Sequence, residues 1–83
     1  MKKMWLVTWP TAISELADVL WECDWISLGN AFKGGLDGSE VCGLYHNEQQ
    51  AANVAQALLD VRDGRLDPSA ILPRSDPWIA QNL

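Results

Sequence analysis

The chain has 83 residues and a formal net charge of −5, from 11 acidic and 6 basic side chains. A chain of this length forms one domain, residues 1–83, and on folding it buries only about 60% of the surface that the unfolded chain exposes. Nucleic-acid binding relies on Lys and Arg to displace counterions from phosphates, so the acidic balance disfavours direct contact with DNA or RNA. It also disfavours adhesion to an anionic membrane, and no apolar run reaches the length of about 18 residues that a membrane span requires.

The N-terminus begins with two lysines and an apolar run, as a signal peptide does. The run ends at Pro10 after about six residues, which is too short for the apolar core of a signal peptide. We therefore expect a cytoplasmic protein without an export signal. In that compartment Cys23 and Cys42 are expected to be buried thiols, with a disulfide between them as the alternative.

The first two elements are predicted from two different periodicities. Residues 4–9 (MWLVTW) alternate with a period of two and are rich in aromatic and β-branched side chains, which predicts a β-strand. Pro10 ends this strand, and Thr11 is a suitable N-cap for a helix. Apolar residues then recur at the spacing of an amphipathic helix over residues 13–21: Ile13, Leu16, Ala17, Leu20 and Trp21.

From Trp25 the pattern changes to a second extended segment, in which Ile26, Leu28 and Phe32 share one face. Residues 33–39 (KGGLDGS) contain three glycines and an aspartate, which predict a flexible loop or hairpin turn. Residues 40–46 form the predicted return strand.

A second helix is predicted over residues 47–62. Asn47 is its N-cap, and Gln50 lies three residues later, as in a variant of the capping box. Gly64 is well placed to end the helix, one turn after its last apolar positions. The buried stripe of this helix consists of small and aliphatic residues: Ala51, Val54, Ala55, Leu58 and Val61.

The segment 65–83 is rich in proline, and we expect it to pack on the body of the domain. Residues 70–73 are compatible with a short edge strand, where proline is tolerated. Asp76 and Pro77 are suited to begin one turn of helix, which Trp78 would anchor.

The predicted order is therefore β-α-β-β-α with a short final strand as an option, which indicates the α+β class. Two helices packed on one face of a small, mainly antiparallel sheet would bury both apolar stripes. A ferredoxin-like split βαβ topology is compatible with this order. The arrangement leaves the other sheet face open, so that face is expected to form a homodimer or to bind another protein.

Few residues are suited to catalysis or metal binding. His46 is the only histidine, and no CxxC or HxxH pair fixes two ligands at a usual zinc spacing. Cys42 and His46 would lie about 13 Å apart along one strand, too far for a nucleophile and its base. The glycine-rich loop leads into a strand and lacks the GK[S/T] of a phosphate loop. We therefore predict no catalytic residue, no metal site and no cofactor.

The segment between Lys3 and Lys33 contains no Lys or Arg, but it contains four carboxylates: Glu15, Asp18, Glu22 and Asp24. In the predicted first helix the first three lie together on the polar face. The simplest interpretation is a solvated face that keeps the protein soluble. The alternative is a surface that recognises a basic patch on another protein, with tryptophans supplying apolar contact: Trp5, Trp9 and Trp25.

The functional hypothesis is a non-enzymatic protein-binding module that acts as an inhibitor or regulator. Its acidic, Trp-flanked helix face would dock on a basic surface of a partner, such as a nucleic-acid-binding surface. Short acidic single-domain chains of this kind are common among phage and mobile-element inhibitors of host defence. Two other hypotheses are a small-ligand-sensing regulatory domain and a structural subunit of a larger assembly.

Overall fold

A computed structural model of the protein describes residues 3–67, which form a three-stranded antiparallel sheet and three helices. The strands are β1 (Met4–Thr8), β2 (Leu20–Cys23) and β3 (Val41–Tyr45). The helices are α1 (Leu16–Val19), α2 (Trp25–Lys33) and α3 (Glu48–Arg62), and a single 3₁₀ turn (Gly38–Glu40) precedes β3. The chain order is β-α-β-α-β-α, which confirms the predicted α+β class.

The sheet has the strand order β2-β1-β3, with β1 antiparallel to both neighbours. Leu6 of β1 lies opposite Trp21 on one side and Leu44 on the other, and the register with β3 shifts between Val7 and Thr8. A ferredoxin-like sheet places another strand between the two strands of its split βαβ unit. Because β1 and β2 are direct neighbours here, residues 3–67 do not form that topology.

One face of the sheet is covered by α3, which corresponds to the predicted second helix and buries its apolar stripe there. Asn47 caps this helix by accepting a hydrogen bond from the backbone N–H of Gln50 at 3.0 Å. Gly64 follows its end with a φ of 77°, a left-handed conformation that suits glycine. The buried cluster on this face joins the sheet to α1 and α3: Val7, Val19, Tyr45, Ala51, Ala55, Leu58 and Leu59.

The other face is partly covered by α2, where the sequence pattern indicated a strand. Leu28 of this helix packs with Met4 and Leu6 in a second buried cluster. The two predicted helices, α1 and α3, therefore share one face of the sheet as expected, and α2 adds a helix on the other face. The sheet face that was expected to be open is thus partly covered, and a homodimer through the remainder of that face stays a prediction.

A local capping motif explains why residues 25–33 are helical. The Asp24 carboxylate accepts a hydrogen bond from the Ser27 N–H at 2.8 Å, and the Ser27 hydroxyl bonds the Asp24 N–H at 2.9 Å. This reciprocal pair satisfies two backbone donors at the start of α2. The spacing of Ile26, Leu28 and Phe32 favours a strand, but the capping pair favours a helix, and the segment is helical.

The predicted helix over residues 13–21 is much shorter in the structure. Only Leu16–Val19 is helical, and Leu20–Cys23 pairs with β1 as β2. This pairing satisfies the backbone N–H and C=O groups along one edge of β1. A helix that continued to residue 21 would leave those groups without a partner. Ile13, expected in the apolar stripe, is 89% exposed, and Trp21, expected in the core, is 49% exposed.

The predictions for residues 68–83, including an edge strand at 70–73 and a helical turn beginning at Asp76, lie outside the described residues. Within residues 3–67, no helix has both the length and the apolar character needed to cross a membrane.

Candidate binding groove

A groove of about 680 Å³ lies over the sheet face that α2 covers only in part. We call it the tryptophan groove. The sheet contributes Leu6 and Thr8 from β1 and Trp21 from β2, and α2 contributes Leu28. The loop of residues 9–14 and the segment 36–40 contribute further lining residues. Its volume falls within the range of about 300–1,000 Å³ that is usual for ligand-binding sites.

The lining of the tryptophan groove combines three kinds of side chain. Five of the lining residues carry a hydroxyl group: Thr8, Thr11, Ser14, Ser27 and Ser39. Three acidic residues contribute to it: Asp18, Glu22 and Glu40. The larger apolar members include Leu6, Trp9, Trp21, Leu28 and Leu36. None of the lining residues within 3–67 is a Lys, Arg or His, so the groove is an apolar recess with acidic character.

Trp9 and Trp21 present the largest apolar surfaces of the groove. They are 46% and 49% exposed, although a tryptophan normally buries most of its surface when it is placed in a core. Trp21 extends from the edge strand β2, which has no neighbour on its outer side within residues 3–67. Trp9 follows the register shift between Val7 and Thr8, and its backbone N–H donates a hydrogen bond to the Glu40 carbonyl at 2.9 Å. Both indoles are available for contact with a ligand.

The carboxylates of Asp18 and Glu40 are held in place by backbone donors. Asp18 accepts a hydrogen bond from the Glu15 N–H at 2.8 Å, and Glu40 accepts one from the Asp37 N–H at 3.1 Å. The Thr8 hydroxyl adds a longer contact to the Asp18 carbonyl at 3.4 Å. A carboxylate can accept about four hydrogen bonds, so each group has further capacity for donors on a ligand.

Glu22 differs from these two acids because it has a basic partner. Its carboxylate lies 2.7 Å from the Lys3 ammonium, and this ion pair raises the pKa of Lys3. Glu22 stands opposite Trp5 in the register of β1 and β2, whereas Trp21 stands opposite Leu6. The Glu22 side chain therefore lies on the Trp5 face of the sheet, and the Trp21 side chain lies on the Leu6 face, over which the groove is formed. Although the segment between Lys3 and Lys33 contains no Lys or Arg, Glu22 therefore has a positive partner at its edge. An exposed pair of this kind is screened by salt and contributes little to stability.

The loop that lines the groove is bonded to the end of α3 by Arg62. This guanidinium donates to the carbonyl of Thr11 at 3.0 Å and to the carbonyl of Ser14. It also pairs with Asp63 at 2.9 Å, which lowers the pKa of that carboxyl. Arg65 pairs with Asp60 and Asp63, so neither arginine neutralises the acids of the groove.

The structure brings together Trp9, Asp18 and Glu22 from the predicted site residues. They line one groove but do not form one helix face, since Asp18 belongs to α1 and Glu22 to β2. Glu15 is the N-cap of α1. Trp5 is half-buried against the core on the α3 side.

Asp24 and Trp25 lie at the start of α2 and are not part of the groove lining. The Asp24 carboxylate caps the helix, and the Ser27 N–H lowers its pKa. Trp25 is 37% exposed, and Phe32, seven residues later on the same helix, is also exposed. These two side chains give α2 an apolar outer stripe separate from the groove.

Most groove residues are not among the predicted site residues, and Trp21 and Glu40 are the two of these with the clearest role in ligand contact. The helical spacing of residues 13–21 predicts that Trp21 lies in the core. The alternation of residues 20–23 in a short strand would have turned it to the face of Leu6. The sequence predicts Glu40 at the start of the return strand, and no sequence pattern predicts that it lies next to Trp9.

The two cysteines do not form a disulfide. Cys23 packs with the cluster around Leu28, and Cys42 packs with the cluster on the α3 side. They lie on the two outer strands, whose axes are about 9.6 Å apart at the usual strand spacing. The two residues are also offset along the sheet, since Cys23 lies opposite Met4 and Cys42 adjoins Gly43, which lies opposite Val7. Their Cα separation therefore exceeds the distance that a disulfide spans. Burial is the main cause that raises the pKa of Cys23, and it raises the pKa of Cys42 to about 11. Among residues 3–67, no three His, Cys, Asp or Glu side chains are grouped to hold a metal ion.

The sequence matches no protein-family model, and comparison with curated proteins and with solved structures gives no match either. The tryptophan groove therefore has to be interpreted from its own residues.

Proposed function

We propose that the protein is a non-enzymatic binding module whose tryptophan groove receives a positively charged part of another protein. The observation that supports this proposal is the composition of the groove: Asp18 and Glu40 share it with two half-exposed indoles, and no base is among its lining residues within 3–67.

The two kinds of lining would serve different purposes in such a complex. Burial of Trp9 and Trp21 would supply most of the affinity, because tryptophan is enriched among the residues that dominate binding energy. The carboxylates would increase the rate of encounter with a basic surface and disfavour acidic partners. A partner whose basic surface normally binds nucleic acid would be inhibited by competition for that surface. An inhibitor or regulator is therefore the form of binding module that we favour.

The proposal can be tested with a variant that removes two charges from the groove. In Asp18→Asn/Glu40→Gln the amide oxygens can still accept the hydrogen bonds from the Glu15 and Asp37 N–H groups. Since charge-assisted hydrogen bonds are about twice as strong as neutral ones, we expect the affinity for the partner to fall by roughly tenfold. The partner would be recovered from the host by affinity capture, and its dissociation constant measured by calorimetry at low and high salt.

The control is Glu48→Gln/Asp60→Asn, which removes the same charge from α3. It should bind as the unaltered protein does, and its affinity should show the same salt dependence. If the two double variants bind the partner equally well, the groove is not the binding site and the proposal is wrong.

A small-ligand-sensing domain is the second candidate, and the volume of the groove favours it. A ligand that binds only the folded state raises the melting temperature by mass action, by an amount that grows with its concentration relative to the dissociation constant. A metabolite screen by thermal unfolding would detect such a ligand. A hit that also stabilises Trp21→Ala to the same extent would not be bound in the groove.

A further inference from the structure

Resting on the proposed function, we infer that the tryptophan groove receives an arginine side chain carried by an extended segment of the partner protein. The inference follows from the volume of the groove, the position of its indoles and the acceptors that surround them.

The volume of the groove limits what part of a partner can enter it. A site of about 680 Å³ is comparable to those that enclose drug-sized molecules. A standard protein interface instead buries roughly 800 Å² of each partner over a broad surface. The groove therefore suits one long side chain and the residues next to it, whereas the rest of the partner would contact the rim.

The two indoles favour a cation with a flat face. Tryptophan is the aromatic side chain that attracts cations most strongly, and arginine makes such contacts more often than lysine. A guanidinium is planar, is weakly hydrated and can stack on an indole, whereas the lysine ammonium is compact and strongly hydrated. The half-exposed rings of Trp9 and Trp21 offer that surface to a ligand.

The polar lining supplies acceptors for the five N–H donors of a guanidinium. The carboxylates of Asp18 and Glu40 are already oriented by backbone N–H groups, so they need little reorganisation to bind a cation. Residues with hydroxyl side chains also contribute to the lining, including Thr8 and Ser39. The aliphatic stem of an arginine would lie on apolar side chains such as Leu6 and Leu28.

The experiment uses the full chain and three short peptides of the sequence Ac-Leu-Ser-X-Ser-Leu-NH₂. In these peptides X is arginine, lysine or citrulline, the last being a neutral side chain of nearly the same shape as arginine. Calorimetry would measure affinity, and ¹⁵N–¹H spectra would follow the indole N–H signals, assigned with Trp→Phe variants. We expect the arginine peptide to bind at least roughly tenfold more tightly than the citrulline peptide, with lysine between them. The Trp9 and Trp21 signals should shift, and those of Trp5 and Trp25 should not.

The charge variants provide the matched comparison. Asp18→Asn/Glu40→Gln should reduce the preference for arginine over citrulline, because only the contribution of the indoles remains, and Glu48→Gln/Asp60→Asn should retain the full preference. Equal binding of the arginine and citrulline peptides would overturn the inference, as would shifts confined to Trp25. Free L-arginine binding as tightly as the peptide would overturn it in favour of an amino-acid site. Indole shifts that depend on protein concentration without peptide would overturn it in favour of a second copy in the groove.

Failure of this inference is distinguishable from failure of the proposed function. If no peptide binds but partner affinity still depends on Asp18 and Glu40, only the choice of arginine is wrong. If partner affinity is also unaffected by those substitutions, the proposed function fails with it.

Discussion

At the scale of single residues, Cys42 should be an unreactive thiol at neutral pH. Burial raises its pKa to about 11, so only about one molecule in a thousand carries the reactive thiolate at pH 8. Its alkylation rate in the folded protein should increase about tenfold for each pH unit up to that value. The measurement is the rate of iodoacetamide labelling by mass spectrometry in a Cys23→Ser variant, with the urea-unfolded chain as control.

The same shift has a consequence for stability. Because the folded-state pKa lies above the reference value of 9.0, Cys42 favours the folded state fully below pH 9. This contribution is lost as the pH rises from 9 through 11. Labelling at pH 8 as fast as in the unfolded chain would show that the thiol is not buried.

Two glycines should respond in opposite ways to the same substitution. A Cβ atom on Gly43 would lie 2.9 Å from the Tyr45 Oη and 3.1 Å from two of its ring carbons, inside the buried cluster. Gly43→Ala should therefore reduce the free energy of unfolding by about 1–3 kcal/mol. Gly29→Ala, in the middle of α2, meets no atom within 4 Å and should increase it by roughly 0.4–1 kcal/mol. Urea unfolding of both variants gives the comparison, and a destabilised Gly29→Ala would contradict it.

At the scale of elements, α3 should depend measurably on its N-cap. Asn47→Ala removes the acceptor for the Gln50 N–H and should cost about 1 kcal/mol of stability. Asn47→Asp keeps an acceptor in the same place and should cost much less. Thermal unfolding followed by circular dichroism distinguishes the two variants, and equal loss in both would mean that the cap does not stabilise the helix.

The elements differ in how well the sequence predicts them. β1, β3 and α3 follow from local patterns because period, boundary residues and buried face agree along each segment. The segment that forms α1 and β2 misleads because its spacing also fits a helix, and only pairing with β1 makes Leu20–Cys23 a strand. For α2 the Asp24–Ser27 capping pair was visible in the sequence, but the alternating apolar residues competed with it.

At the scale of the whole molecule, the sequence predicts the acidic character of the site but not its shape. The absence of Lys and Arg between Lys3 and Lys33 identifies the segment that supplies Asp18 and Glu22, whereas Glu40 lies beyond it. The groove itself requires residues from separate segments, since the Trp9 N–H bonds the Glu40 carbonyl and Trp21 pairs with Leu6. No local pattern specifies contacts between residues so far apart in the chain.

The bonds from Arg62 to the carbonyls of Thr11 and Ser14 join segments that are 51 and 48 positions apart. Because of them, one wall of the groove is fixed by the same folding event that completes α3. The residues of this wall would already have lost their conformational entropy during folding, so little further entropy would be lost when a ligand binds. Loosening the last turn of α3 would then weaken recognition without altering any atom that touches the ligand.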